Sequence, residues 1–287
     1  MIAHVAEIGE SRGRVVLRFC SGGFNKTAVH AAFRIAQAFQ SEIESLYVED
    51  TQLLDLAQFS FATEVSLTGR DRRRLSPQSV HESFLAAHKA ARRQVEAAAR
   101  EAEVPVEQHY VRDEPVQALA AACARRGPWN VVALAESFGT SSCGALREVF
   151  ETVPDTTAVI LAGPNSKRTT GPIIVAAEDL ERLPGMLRAA ERLAALNETE
   201  IVLLLIGETD EDLFWMDSEV RLLLEDRADF EIMSGALARG VTSAVVEAIR
   251  RLHGGFLIAH FGSRTVPDDG GLRPLVSALE CPLLLVR

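Results

Sequence analysis

The sequence predicts an α/β fold built from two tandem five-stranded, parallel, doubly wound domains. Three observations carry this expectation. First, a strand–helix–strand unit occurs twice. Arg14–Asp50 reads RVVLRFC, NKTAVHAAFRIAQAF and SEIESLYVED, and Pro172–Glu208 reads PIIVAA, LERLPGMLRAAERLAAL and TEIVLLLIGE. Second, each copy closes on a helix and a short apolar strand, TTAVILAG and CPLLLVR. An internal repeat on this scale sets the architecture before any motif is considered. Third, short apolar runs alternate with helical segments of about ten to fifteen residues, the signature of right-handed βαβ crossovers and a parallel sheet covered on both faces.

The elements follow in order. Val15–Phe19 is an apolar run suited to a buried parallel strand. The turn Ser21-Gly22-Gly23 feeds a helix with Ala28, Ala31, Ala32, Ile35, Ala36 and Phe39 on one face. Ile43–Val48 is the second strand, and residues 50–77 break the alternation as an insertion. A long helix from Pro77 to Glu103 precedes a strand at Val104–Val111, a helix at Val116–Arg125 and a fourth strand at Asn130–Leu134. Helix Ser142–Val153 and strand Thr157–Leu161 complete the first domain, residues 1–165. GPNSKRTTGP sustains neither regular period and reads as the linker. The second domain, residues 166–287, predicts strands at 172–177, 200–206, 229–233, 255–260 and 282–286, with helices at 182–195, 211–227, 241–252 and 271–279. In such sheets ligands sit beyond the carboxyl ends of the strands where the strand order reverses. The turns after the first and fourth strands of each half are therefore the places for a site.

The 287 residues suffice for two cores, and 47% hydrophobic with 24% charged residues is a globular composition. The net charge is −10, with 17 basic against 20 acidic residues before Ser166 and 13 against 20 from it onward. Neither half carries the basic footprint of a nucleic-acid binder. No apolar run approaches the roughly 20 residues that span a bilayer. The polar N-terminus MIAHVAEIGESRGR does not read as a signal peptide, so a cytoplasmic location is expected, without a membrane partner. The four cysteines form no CxxC pair and the seven histidines no metal-ligand spacing, so no metal is expected.

The order and spacing of these elements, with VRDEPVQALAAACARRGPWNVVAL and the closing CPLLLVR, resemble the universal stress protein family in its tandem form. Pro115, Ala118–Ala122 and Asn130–Leu134 fill the places of that family's x-G-x-P-x-x-x-I-x-x-x-A … D-x-I-V-x-G region. The resemblance implies an adenine nucleotide alpha hydrolase-like fold, two halves packed as an internal pseudo-dimer, and a non-enzymatic stress-response or regulatory role. It also implies that the closing strands, Ala158–Leu161 and Leu283–Val286, meet where the two halves join. Nucleotide-binding members carry an acidic residue after the first strand and a G-x-x-G-x9-G-S/T loop after the fourth. Here the first-strand position is Cys20 in one half and Glu178 in the other. The loops read AESFGTSSCGAL, with Ala135 in place of the first glycine, and HFGSRTVPDDGGLRPL, with Asp268 and Asp269 in the phosphate path. Two carboxylates repel a triphosphate, so the second half is not expected to bind ATP in the family manner.

The candidate nucleotide-binding set is Ser21, Gly22, Gly23, Lys26, Gly139, Ser141, Ser142 and Gly144, with ATP or another adenine nucleotide as ligand. Backbone N–H groups at a helix start bind phosphate, and Lys26 adds charge. Against this stands the plainer reading of a tight glycine turn and of Ser141 or Ser142 as a helix cap. SGGFNK also resembles the start of the SGGxDS loop of ATP pyrophosphatases, implying an ATP-hydrolysing or nucleotidyl-transferring enzyme. Asn25 and Lys26 replace that motif's Asp and Ser. Cys20 and Cys143 lie on the same two turns and form the candidate redox pair. No catalytic set is visible; His30 and His260 stand without an assigned nucleophile. The insertion, with Leu53, Leu54, Leu56, Phe59, Phe61 and the arginines Arg70, Arg72, Arg73 and Arg74, reads as a lid, a protein-docking element or a cover for a sheet edge. A scaffold with both sites inactive and a further homo-dimer are the remaining expectations.

Overall fold

The computed structural model describes residues 13–20, 24–66, 68–125, 129–135, 142–224, 230–236, 241–267 and 272–287. The first half contains β1 (Arg14–Phe19), α1 (Lys26–Ala38), β2 (Glu42–Asp50), α2 (Thr51–Gln58), β3 (Thr63–Val65), β4 (Arg72–Arg74), α3 (Pro77–Ala102), β5 (Val106–Asp113), α4 (Pro115–Ala124), β6 (Asn130–Leu134), α5 (Ser142–Thr152) and β7 (Thr156–Leu161). The second contains β8 (Ile173–Ala177), α6 (Leu183–Asn197), β9 (Ile201–Gly207), α7 (Asp210–Leu223), β10 (Phe230–Ala236), α8 (Val241–Arg251), β11 (Phe256–His260), α9 (Leu272–Ala278) and β12 (Leu283–Val286).

All the long strands join one ten-stranded sheet in the order β10-β9-β8-β11-β12-β7-β6-β1-β2-β5. Each half has its first strand at the centre and reverses direction of winding there, between β1 and β6 and between β8 and β11. Within this sheet every pairing inside a half is parallel. The one antiparallel pairing in this sheet joins the halves, with Leu283 opposite Leu161, Leu284 opposite Ile160, Leu285 opposite Val159 and Val286 opposite Ala158. These are the segments the resemblance assigned to that contact. Antiparallel joining inverts one half relative to the other, so the two switch-point crevices open at opposite ends of the sheet.

Strand alternation sends side chains to opposite faces. Val15, Leu17 and Phe19 face α1 and α3, and that core continues through Val175, Leu187, Leu203 and Leu213 in the second half. Val16 faces the other way with Leu134, Val149, Val159, Leu257, Leu275 and Leu285. Both cores therefore cross the junction. The linker Gly163–Pro172 lacks regular structure but is closely held. Ser166 donates to the carbonyls of Leu279 and Cys281 and accepts from the Gly163 N–H. Gly163 is required there, because a Cβ would stand 1.9 Å from the Val276 carbonyl oxygen.

The insertion forms α2 and the β3–β4 hairpin, and α2 packs chiefly on α3. Leu53, Leu54 and Leu75 reach the core, while Phe59 and Phe61 stack on each other in the solvent. The strand expected at Val104–Val111 is shifted to Val106–Asp113. Glu103 ends α3 in the left-handed conformation, which occupies the intervening residues, and pairing with β2 carries β5 on to Asp113.

At the amino end of the first-half sheet, Arg14, Glu44 and Asn130 are nearly inaccessible. Glu44 pairs with Arg14 and Arg125. Arg14 also donates to Asn130 and to the Ala122 carbonyl, and Asn130 to the carbonyls of Cys123 and Asp155. Removing one member of a buried ion pair strands the other charge, at a cost of about 3–5 kcal/mol. We expect Glu44→Leu to lower the urea-unfolding free energy by about 3 kcal/mol, and the double variant Arg14→Met/Glu44→Leu to recover part of that loss.

Candidate functional site

The two switch points are built alike and furnished differently. In the second half, β8 ends at Ala177 and is followed by Glu178, while β11 ends at His260 and leads into a compact loop. Gly262 takes the left-handed conformation, φ 85°, and donates to the Val266 carbonyl. This turns the backbone N–H groups of Arg264 and Thr265 toward Glu178, whose carboxylate accepts both at 2.7 and 2.9 Å. The Thr265 hydroxyl donates to the same carboxylate. Arg264 reaches across to Glu208 beyond β9 at 3.0 Å. The backbone donors on this side of the crevice are therefore satisfied by the protein's own carboxylate. His260 has its pKa lowered by burial and by Arg182, against the opposing pull of Asp179 and Glu178. Asp268 and Asp269 lie outside the described residues.

In the first half the corresponding position is Cys20, a partly buried thiol that cannot accept as a carboxylate does. The Asn25 N–H donates to the Ala135 carbonyl at 2.6 Å, and the Ala135 N–H to the Arg18 carbonyl at 3.0 Å. Asn25, just before α1, and Ala135, just after β6, are thus brought together. Ser21, Gly22, Gly23, Gly139 and Ser141 lie outside the described residues. Ser142, Cys143 and Gly144 form the first turn of α5, but their side chains are not described, so the Cys20–Cys143 pairing is not placed. Lys26 opens α1 in an exposed position. Asn25 caps that helix: its Oδ1 accepts from the Thr27 N–H, and its Nδ2 donates to the carbonyls of Ala162 and Gly163. The side chain at the pyrophosphatase Asp position is therefore engaged with the helix end and the linker. Burial pushes the Cys123 and Cys281 thiols up to about 12, away from the thiolate form.

One polar cluster beside this crevice is not apparent from the sequence. Glu49, 1% exposed, accepts from His81 Nδ1 at 2.7 Å, the Tyr110 hydroxyl at 2.8 Å and Arg112 Nε at 3.1 Å. Tyr47 stacks on Tyr110 with centroids 5.6 Å apart, and His88 leans on both rings. Burial raises both phenols, Tyr110 to about 12 with help from its bond to Glu49. The donors to Glu49 lie 32 to 63 positions from it in the chain, and the cluster forms because Tyr47 faces Tyr110 and Glu49 faces Arg112 across the β2–β5 ladder. The alternation of Tyr47 with Glu49 and of Tyr110 with Arg112 is the sequence signal, legible only with the pairing register in hand. Among the described residues no group of three or more His, Cys, Asp and Glu side chains is placed to hold a metal, and no helix is long and apolar enough to cross a membrane.

The architecture is that of a paired doubly wound α/β protein with a topological switch point in each half. No protein-family model and no curated protein matches the chain. Among solved structures, a universal stress protein from Archaeoglobus fulgidus DSM 4304 matches with a TM-score of 0.60 at 13% identity, over 96% of each chain. A functionally unknown protein from Pseudomonas aeruginosa PAO1 matches at 0.57 and 14%, over 95% of this chain and 92% of that one. The cytoplasmic domain of a prokaryotic cation chloride cotransporter matches at 0.56 and 11%, over 96% and 95%. Because these matches run through nearly all of both chains, the doubled arrangement itself is shared. The chain has a universal stress protein-like α/β fold.

Two outcomes follow. Glu178→Ala leaves the buried Thr265 donors unsatisfied and is expected to cost about 2 kcal/mol in urea unfolding. Burial alone would raise the Glu49 pKa, but donation from His81, Tyr110 and Arg112 outweighs it and holds the carboxyl below its ordinary 4.5. The unfolded chain then takes up this proton first as pH falls. The stabilisation is complete above the ordinary carboxylate range and is lost as pH falls through the folded value. Thermal unfolding across the acid range should show Glu49→Gln with a shallower loss of stability than the wild type.

Proposed function

We propose that this chain is a universal stress protein-like regulatory protein, non-enzymatic, in which an adenine nucleotide binds in the first-half crevice alone. The observation that carries the reading is the unequal use of backbone donors. Glu178 takes the N–H groups of Arg264 and Thr265 in the second half, whereas the first half has a thiol at the corresponding position. A phosphate entering the second crevice would have to displace a carboxylate and then lie beside it. Asn25 and Ala135, which follow Gly23 and precede Gly139 in the chain, are hydrogen-bonded to each other, which supports Ser21, Gly22, Gly23, Lys26, Gly139, Ser141, Ser142 and Gly144 as the residues that would surround the phosphates.

The engagement of Asn25 with α1 and the linker weighs against a nucleotide-hydrolysing or nucleotidyl-transferring activity of the pyrophosphatase kind. A second reading is favoured by the exposed stack of Phe59 and Phe61, 52% and 74% accessible: a scaffold with both crevices inactive that engages a protein through residues 50–77. Titration with a fluorescent ATP analogue separates the two. Saturable binding by the wild type, lost in Gly23→Trp with an unchanged circular dichroism spectrum, supports the first-half site, while equal binding in the variant sinks it. Incubation with ATP and Mg²⁺ should leave the nucleotide intact; release of diphosphate or phosphate would overturn the non-enzymatic reading.

A further inference from the structure

Two exposed apolar patches lie on opposite wings of the sheet, and they carry opposite charge. The first is on α7. Spacings of three and four residues put Leu213, Met216 and Val220 on the face packed against β9 and β10, where they are buried. The same winding leaves Phe214, Trp215 and Leu222 on the opposite face, with Phe214 78% and Trp215 58% accessible. Large apolar side chains exposed together mark an interaction site, whereas single ones do not. This patch is acidic: α7 carries five carboxylates against one arginine, and that arginine, Arg221, is taken by Asp217. Glu211 and Glu219 border the rings and have no ion pair among the described residues.

The second patch is on the insertion. Phe59 and Phe61 stack with their centroids 5.3 Å apart, and Leu56 and Val65 are exposed beside them in the chain. This patch is basic. Across the β3–β4 hairpin Val65 faces Arg72, Thr63 faces Arg74 and Glu64 faces Arg73. Alternation puts Arg72 and Arg74 on the face of Val65, while Arg73 pairs with Glu64 on the other. Arg70, Arg72 and Arg74 are exposed and have no carboxylate partner among the described residues. Asp71, in the same hairpin, offsets one of these charges and leaves the surface net positive.

We propose that the insertion patch of one copy of this chain docks on the α7 patch of a second copy, head to tail. Charge selects this occupant. Contact between two α7 faces would set carboxylates against carboxylates, and contact between two insertions would set guanidinium groups against one another. The insertion on α7 instead brings aromatic rings onto aromatic rings, with Arg72 and Arg74 available to Glu211 and Glu219. The patches cannot meet within one chain. The insertion packs on α3 beside β2 and β5, α7 lies on β9 and β10, and seven strand spacings, roughly 34 Å, separate β9 from β2. At their exposures the four rings offer roughly 500 Å² of apolar surface, below the ~1,200–2,000 Å² total of stable interfaces, so the association is weak and concentration-dependent. A heterologous contact of this kind grows with concentration or closes as a ring. It gives residues 50–77 a partner without requiring either crevice to be inactive.

The test is sedimentation velocity of the full chain over about a hundredfold range of concentration. The wild type is expected to move from monomer to higher mass as concentration rises. Phe59→Ser/Phe61→Ser and Phe214→Ser/Trp215→Ser alter only exposed side chains, so each should keep the wild-type circular dichroism spectrum and associate at least about tenfold more weakly. Mixing these two variants restores one contact, since each retains the patch the other lacks. The mixture should form a one-to-one complex and grow no further. Glu211→Lys/Glu219→Lys reduces the chain's negative charge, which would strengthen a non-specific association, and is expected to weaken this one. A wild type that stays monomeric throughout, association that persists undiminished in either aromatic variant, or a mixture that stays monomeric overturns the proposal. Wild type that binds phosphatidylserine vesicles in place of itself would assign the insertion to a membrane surface and overturn it as well. Gly23→Trp should associate as the wild type does, so failure of the nucleotide reading and failure of this one are separately visible.

Discussion

The antiparallel pairing of β12 with β7 is the contact on which the rest of the molecule depends. Each half alone would expose a strand edge with its row of unpaired backbone groups, β7 in one and β12 in the other. Exposed apolar edges template association with other chains, and these two are strongly apolar, with Val159, Ile160, Leu161, Leu283 and Leu285 almost inaccessible in the joined sheet. Pairing them satisfies both edges at once. It also lets the cores on both faces run uninterrupted from one half to the other, so neither half has to bury its apolar surface alone. The linker conforms to this seam: Ser166 is fixed to the residues just before β12, and the Lys167 and Arg168 N–H groups donate to the Glu280 carbonyl.

The same pairing makes the halves unequal in opportunity as well as in sequence. Inversion across the seam sends the crevices to opposite ends, so no ligand can touch both. Each was free to diverge. The second has become self-contained, with Glu178 as an internal ligand for the loop after β11 and Arg264 tied to Glu208. The first acquired α2 and the hairpin, and beside its crevice the buried carboxylate of Glu49 is held by three donors. The outer edges of the sheet are treated differently from the seam. β5 presents Glu107, Gln108, Arg112 and Asp113 to solvent, charge and polarity that discourage further strand addition.

Much of this was legible in the residues. The apolar period of two in the strands and of 3.6 in α1 located nearly every element, because those periods reflect which side chains must leave water. The αL residue Glu103 was not legible, and it moved the start of β5. The exposure of Phe214 and Trp215 beside buried Met216 was likewise undecided by composition, since helix phase depends on where α7 docks on β9. The role of Asn25 illustrates the same gap. In sequence it is a departure from a nucleotide-loop motif; in the fold it is a helix cap whose amide also holds the linker, more than 130 positions away.

The sequence by itself determined the repeat, the parallel βαβ grammar and the identity of the two closing strands, because these rest on local periodicity and on chain order. Only the tertiary structure decided which donors are already taken. Glu178 meets Arg264 and Thr265 across 86 and 87 positions, and Glu49 meets Arg112 across 63. Hydrogen bonds and charges act over a few ångströms in space without regard to separation along the chain. Whether a polar side chain is engaged or available is therefore settled by packing.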